Sequence, residues 1–141
     1  MIRFDGYYLE EPSQIHNGRF RDNRWTYIFN AFHFEKGGTL KICIKHDHIE
    51  YLNNFKKEDF DDVKAETTKY NISSNQLIIK TSSPFGNDSV LEILNENTLF
   101  HSHRKRKIHF IPWERIKDDK TNVLKDLLDS LDKSKLNTYY E

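Results

Sequence analysis

The sequence predicts a mainly β fold, an antiparallel up-and-down meander that closes as a barrel or packs as a sandwich. Apolar and polar residues alternate with a period of two, about eight short strands recur at intervals of roughly 8 to 14 residues, and short polar turns join most of them. Such a succession is typical of antiparallel all-β domains. The chain has 141 residues, so we assign 1–141 to one domain, with its strands in about 4–112.

The clearest elements form a long hairpin over about 25–46. Leucine and isoleucine alternate with lysine and cysteine in 40–45, which is the pattern of a half-buried strand. An aromatic-rich segment, 25–34, precedes this strand, and Gly37 and Gly38 supply the turn between them. Further strands are predicted at 4–9, 69–72, 76–81, 89–94, 98–103 and 107–111.

Two segments break the β pattern. Four leucines recur at i, i+3, i+4 and i+7 and predict a C-terminal amphipathic α-helix over about 120–135, packed on the sheet or on a partner. They are Leu124, Leu127, Leu128 and Leu131. We expect the tail 137–141 to be frayed. The segment 47–66 has seven acidic residues against three lysines, a net charge of −4, and we expect a short helix around 58–64.

The composition excludes several classes of protein. Lysine plus arginine and aspartate plus glutamate both number 22, and an isoelectric point near 7.1 argues against a dedicated nucleic-acid-binding protein. The longest apolar runs, such as 77–79, are far shorter than the roughly 20 residues that cross a bilayer. The single cysteine, Cys43, and the absence of an apolar stretch at the start predict a cytoplasmic protein.

The order of the short motifs points to a family. The first strand opens with Phe4-Asp5-Gly6-Tyr7-Tyr8. The later motifs are 32–39 as strand and turn, 70–72 with 75–79, and 97–99 with 102–103. Together they resemble small bacterial lipocalin-like proteins of the calycin type, many of which have no known function. The resemblance implies a lipocalin-like up-and-down β-barrel with a pocket at one mouth.

Aromatic residues suggest a ligand pocket in such a barrel. Aromatic walls with a few polar groups are typical of small-molecule sites. The candidate residues are Tyr8, Trp25, Tyr27, Phe29, His33 and Tyr70. The alternative is that these side chains fill the barrel core, since a small barrel must pack its interior with large residues.

Basic residues suggest a second candidate site. The segment 100–117 has six lysines and arginines against one glutamate, a net charge of +5. Its patch of Arg104, Lys105, Arg106 and Lys107 is suited to an anionic surface or a phosphate backbone. The alternative is a solvated hairpin tip, or a partner for the acidic segment of the same chain. Three arginines of the 16–24 loop are further candidates for an anionic ligand or protein partner: Arg19, Arg21 and Arg24.

Motifs for metal binding or catalysis are weak. Two His-x-His pairs place both imidazoles of each pair on one strand face, but each is only half of a metal site. The pairs are His46 with His48 and His101 with His103. The chain has no Gly-rich phosphate loop, GxSxG or CxxC motif. We therefore predict no metal, no cofactor and no enzymatic activity.

Three functional hypotheses follow from these observations. The first is a non-enzymatic β-barrel that binds a small hydrophobic or aromatic molecule. The second is a protein-interaction module, such as an inhibitor, immunity or assembly protein, that uses charged patches and the leucine stripe. The third is nucleic-acid binding through residues 104–107, which the balanced net charge disfavours.

Overall fold

The computed structural model of the protein describes residues 1–16, 25–81, 86–117 and 120–140. Within these ranges the chain forms ten strands and one α-helix. The strands are β1 (Gly6–Glu10), β2 (Ser13–His16), β3 (Trp25–Phe34), β4 (Thr39–Asp47), β5 (Glu66–Ser73), β6 (Gln76–Ile79), β7 (Ser89–Asn95), β8 (Thr98–His101), β9 (Arg106–Pro112) and β10 (Thr138–Tyr140). The helix is α1 (Val123–Ser130), and 3₁₀ turns occur at Ile49–Tyr51, Lys57–Phe60, Trp113–Ile116 and Lys133–Lys135.

Eight of the strands close into an antiparallel barrel. Their order around the barrel is β1-β9-β8-β7-β6-β5-β4-β3, and β3 pairs with β1 again. The closing strand β1 pairs with β9 along its whole length, from Gly6 opposite Pro112, and with β3 at Tyr8 opposite Phe32. The predicted antiparallel meander is therefore confirmed, and it closes as a barrel.

The C-terminal segment differs from its prediction in detail. The helix α1 is shorter than expected, since the chain is extended again at Leu131. The tail is not frayed over 138–140, where β10 pairs in parallel with β2. This pairing joins residues at the two ends of the chain, so it leaves no local periodic pattern that a sequence reading detects. In the acidic segment, a 3₁₀ turn at Lys57–Phe60 stands in place of the helix expected around 58–64, and a further 3₁₀ turn occurs at Ile49–Tyr51.

Strand alternation divides the core into two clusters. Successive side chains of a strand point to opposite faces, so each barrel strand contributes to the interior and to the outer surface. The inner cluster is Ile2, Tyr8, Phe32, Phe34, Leu40, Tyr70, Leu77, Ile79, Leu91, Ile93, Leu99, Ile108 and Phe110. The outer cluster is Tyr7, Leu9, Tyr27, Phe29, Ala31, Leu52, Phe55, Phe60, Ile111, Val123, Leu124 and Leu128.

The helix covers the outer cluster. Asn122 caps its start, with the side-chain oxygen accepting a hydrogen bond from the backbone N–H of Lys125 at 3.1 Å. Leu124 and Leu128 are fully buried, and Leu127 packs beside them. Most of the leucine stripe therefore contacts the barrel of its own chain. In the part of the chain that the structure describes, no helix has the length and apolar composition to cross a membrane.

We expect Gly6→Ala to destabilise the fold strongly. A Cβ at Gly6 would meet the Ile111 carbonyl oxygen and would lie 2.7 Å from Pro112 Cα, so β1 and β9 would have to separate. Overpacking of this kind costs about 1–3 kcal/mol of folding stability. Urea denaturation followed by circular dichroism measures the loss. Gly37→Ala is the matched control, because no atom lies within 4 Å of its added Cβ, and an equal loss in both variants would contradict the prediction.

Candidate functional site

The six residues of the predicted aromatic pocket do not converge on one cavity. Tyr8 and Tyr70 belong to the inner cluster, Tyr27 and Phe29 to the outer cluster, and Trp25 and His33 to separate parts of the outer surface. Strand alternation separates them, because their positions in β1, β3 and β5 face both sides of the barrel wall.

The two inner tyrosines have structural roles. The Tyr8 hydroxyl donates a hydrogen bond to the Glu96 carbonyl oxygen at 2.6 Å, and the Tyr70 hydroxyl donates to the Glu35 carbonyl oxygen at 2.5 Å. Burial raises the pKa of Tyr8 to about 12, so its hydroxyl stays protonated. Both bonds tie an interior ring to a turn at the end of the barrel, which supports the core alternative for these two residues.

The remaining members of that set lie on the outside of the barrel. Trp25 is 37% exposed and packs against His16, with the ring centroids 4.5 Å apart and the ring planes tilted by 47°. His33 lies beside Phe60 and Trp113. His33 borders a cleft of ligand size, where Phe60 and Trp113, which were not among the predicted pocket residues, lie beside it.

The histidine pairs do not assemble into a metal site. His46 Nε2 is 3.0 Å from Thr26 Oγ1, and His48 Nδ1 is 3.0 Å from the Trp25 carbonyl oxygen. His101 Nδ1 accepts a hydrogen bond from the Arg104 N–H, and the His101 and His103 rings are 6.4 Å apart. Among the described residues, no group of three or more His, Cys, Asp and Glu side chains is placed to hold a metal ion.

A buried carboxylate marks the polar end of the barrel. Glu10 ends β1 two residues after Tyr8, so both face the interior, and Glu10 is fully buried. Its Oε1 atom has no hydrogen-bond partner and lies 3.4 Å from Arg104 Nη1 and 3.7 Å from Arg106 Nη1. Asn30 Nδ2 donates to Oε2 at 3.4 Å. Sequence reasoning missed Glu10, although its inward position follows from the alternation of β1.

Desolvation controls the protonation of this cluster. Burial raises the pKa of Glu10 even though the Arg104 and Arg106 guanidinium groups lower it. The same burial lowers the pKa of Arg106, which Glu10 raises in turn. Arg106 therefore depends on Glu10, because removing this carboxylate leaves the guanidinium charge buried without its counterpart, whereas Glu10 also has Arg104 at 3.4 Å.

Arg106 joins three parts of the chain. Its Nη2 donates to Ser13 Oγ at 2.7 Å, and its Nη1 donates to the Glu11 carbonyl oxygen at 3.4 Å. When the Asn137 side-chain amide is oriented with its oxygen towards Arg106, this oxygen accepts a hydrogen bond from Arg106 Nε at 3.2 Å. This one side chain thus connects the start of β9, the bend between β1 and β2, and the segment before β10.

Beside Arg106 is a concave site that we call the basic cleft. Its volume is about 450 Å³. It is lined by Glu11, Pro12, His103, Arg104, Lys105, Arg106, Lys135, Leu136 and Asn137. Glu11 is the only carboxylate among these residues, and it contacts His109 Nε2 at 2.9 Å. Burial works against the charged form of Glu11, but its hydrogen bond with His109 lowers the pKa overall.

The predicted basic patch is divided by the strand. Arg104 and Lys105 are exposed in the hairpin turn and line the cleft, whereas Arg106 is buried at its base. Lys107 points to the other face of β9 and does not line the cleft. Lys135 joins the site from a distant part of the chain, which the sequence alone does not indicate. Arg19, Arg21 and Arg24 lie outside the described residues.

We expect the Glu10 carboxyl to make stability fall as pH rises. Because the pKa of Glu10 in the folded protein is raised above its ordinary 4.5, the folded state binds this proton more tightly than the unfolded state does. This contribution is complete below about pH 4.5 and is lost as pH rises through the folded-state pKa. The free energy of unfolding of wild type, minus that of Glu10→Gln, should therefore decrease between pH 4 and 7 in urea titrations.

Glu11→Gln is the matched control for this measurement. Its carboxyl has a lowered pKa, so its contribution is present above about pH 4.5 and is lost as pH falls. The two variants should therefore differ from wild type with opposite pH slopes. A Glu10→Gln difference that grows with pH would contradict the assignment.

Comparison with models of protein families, with curated proteins and with solved structures finds no match for this chain. What the structure shows is the fold, a closed eight-stranded antiparallel barrel with one C-terminal helix in the described ranges.

Proposed function

We propose that the protein is a non-enzymatic β-barrel that binds a small anionic molecule, bearing carboxylate or phosphate groups, in the basic cleft. One observation carries the proposal. Several cationic side chains meet in a concave space of about 450 Å³, and the single carboxylate that lines it already contacts a histidine. Volumes of about 300–1,000 Å³ are typical of small-molecule sites.

The charges of the cleft leave an excess for a ligand. Arg106 is balanced by Glu10, and Arg104 lies 3.4 Å from the same carboxylate. Lys105 and Lys135 form no ion pair with any carboxylate in the described ranges. Two ammonium groups at the rim of a partly buried guanidinium site favour an anion over a neutral ligand.

The backbone at Lys105 supports a role for this turn. Lys105 has a φ of 55°, in the left-handed region that residues other than glycine seldom adopt. Such conformations are concentrated at functional sites, where the surrounding structure maintains them. Here the conformation occurs in the β8–β9 hairpin turn, at a side chain that lines the cleft.

The resemblance to lipocalin-like proteins is consistent with a binding function, but it implies a ligand site different from the basic cleft. In that architecture the expected site is the barrel interior at one mouth. In this chain, large apolar and aromatic side chains of the inner cluster fill the interior. The proposed ligand therefore binds at the rim, between the β8–β9 turn and the segment before β10, and a purely hydrophobic ligand is disfavoured.

The other two hypotheses have less support. A partner that contacts the leucine stripe would have to displace α1, because Leu124 and Leu128 are buried against the barrel. A nucleic-acid backbone requires cations spread along a surface, whereas the cations here converge on one cleft.

Titration with pyrophosphate tests the proposal. Isothermal calorimetry at low salt should show binding to the wild type, and 0.5 M NaCl should weaken it because salt screens exposed charges. Lys105→Ala combined with Lys135→Ala should weaken binding by about tenfold or more, since each charge-assisted hydrogen bond contributes about 1.5–3 kcal/mol before solvent screening.

Lys107→Ala is the matched control, because it removes the same charge from the same hairpin without changing the cleft. It should bind pyrophosphate within about twofold of wild type. Equal loss in Lys107→Ala, or unchanged affinity in the double variant, would contradict the proposal. Native mass spectrometry of freshly purified protein then identifies the anion that the protein carries.

A further inference from the structure

A second cleft lies on the outside of the barrel, at the opposite end of β1 from Glu10. We call it the aromatic cleft, and its volume is about 510 Å³. Its walls are Phe4, His33, Phe60 and Trp113. The Trp113 ring centroid is 5.5 Å from that of His33 and 5.8 Å from that of Phe60, so three rings form one continuous surface.

The polar groups of the aromatic cleft are mainly acceptors. His33 Nδ1 is 2.7 Å from the Gly6 carbonyl oxygen and must donate to it, which leaves Nε2 as the acceptor nitrogen of the neutral ring. Asp5 and Glu35 contribute carboxylates. Asp5 is paired with Arg3 at 2.8 Å, whereas Glu35 forms no ion pair with any side chain in the described ranges.

Lys57 is the cationic side chain among the residues that line the aromatic cleft, and it lies over the face of an aromatic ring. Its Nζ atom lies 5.9 Å from the Trp113 ring centroid, within the range of a cation–π contact. Lys57 is exposed, and its ammonium group forms no ion pair with a described carboxylate. Its contact with Trp113 is therefore weak and readily replaced by another cation.

We propose that the aromatic cleft is a second binding site, which takes an organic cation of the alkylammonium class. The ligand's charge replaces Lys57 Nζ over the Trp113 face, and the Glu35 carboxylate balances it. Its apolar groups contact Phe4 and Phe60. The proposal is independent of the basic cleft, because the two sites share no residue and prefer ligands of opposite charge.

Choline and its neutral isostere 3,3-dimethylbutan-1-ol are the matched probes for this site. Fluorescence of Trp113, measured in a Trp25→Phe background, should change with choline in a saturable way. The neutral alcohol should bind at least about twofold more weakly, because it has the same shape but cannot form the cation–π contact. Equal affinity for both probes, or no saturable response to choline, would overturn the proposal.

Substitution of Lys57 gives the sharper test. Lys57→Ala removes the competing internal cation, so choline should bind about two- to tenfold more tightly than to the wild type. Lys64→Ala removes the same charge from another exposed position of the acidic segment, one that does not line the cleft, and should leave the affinity within about twofold. A Lys57→Ala variant that binds choline equally or more weakly would overturn the proposal.

Glu35→Gln tests the carboxylate without disturbing the core, because its side chain is exposed. Choline binding should weaken in this variant, while pyrophosphate binding at the basic cleft should remain unchanged. Unchanged choline affinity in Glu35→Gln would remove Glu35 from the site and overturn the assignment of an anionic counterpart.

Discussion

The burial of β1 between β3 and β9 is the constraint on which the rest of the structure depends. All five residues of this strand are buried, and it forms backbone pairs on both sides, so it closes the barrel. Gly6 permits the closure because only hydrogen fits between its Cα and the backbone of β9. Without this close approach the barrel would be an open sheet with an exposed edge.

The same strand positions both clefts. At its start, the Gly6 carbonyl oxygen accepts from His33 and orients that ring in the aromatic cleft. At its end, Glu10 provides the buried negative charge that compensates Arg106 beside the basic cleft. The two ends are about 13 Å apart along the strand. The short, fully buried strand β1 therefore orients His33 in the aromatic cleft and provides the carboxylate beside Arg104 and Arg106 at the basic cleft.

The zero net charge of the chain conceals a local arrangement of opposite charges. The acidic segment 47–66 pairs with lysines of β4, through Lys41 with Asp62 and Lys45 with Asp59. The basic β8–β9 turn instead pairs with Glu10. In the described ranges, the barrel wall beside each charged segment thus neutralises only part of its charge. The cations at the rim of the basic cleft remain available because the acidic segment does not cover them.

The sequence by itself determined the fold class, because period-two alternation depends only on which residues are neighbours along the chain. The same alternation puts Tyr27 and Phe29 in the outer cluster and Phe32 and Phe34 in the inner cluster. Only the tertiary structure decided how barrel closure combines strands distant in sequence. That is why Lys135 and Asn137 join the basic turn, and Trp113 and Phe60 join His33. Such groupings depend on strand register and on segments outside the strands, which local pattern does not encode.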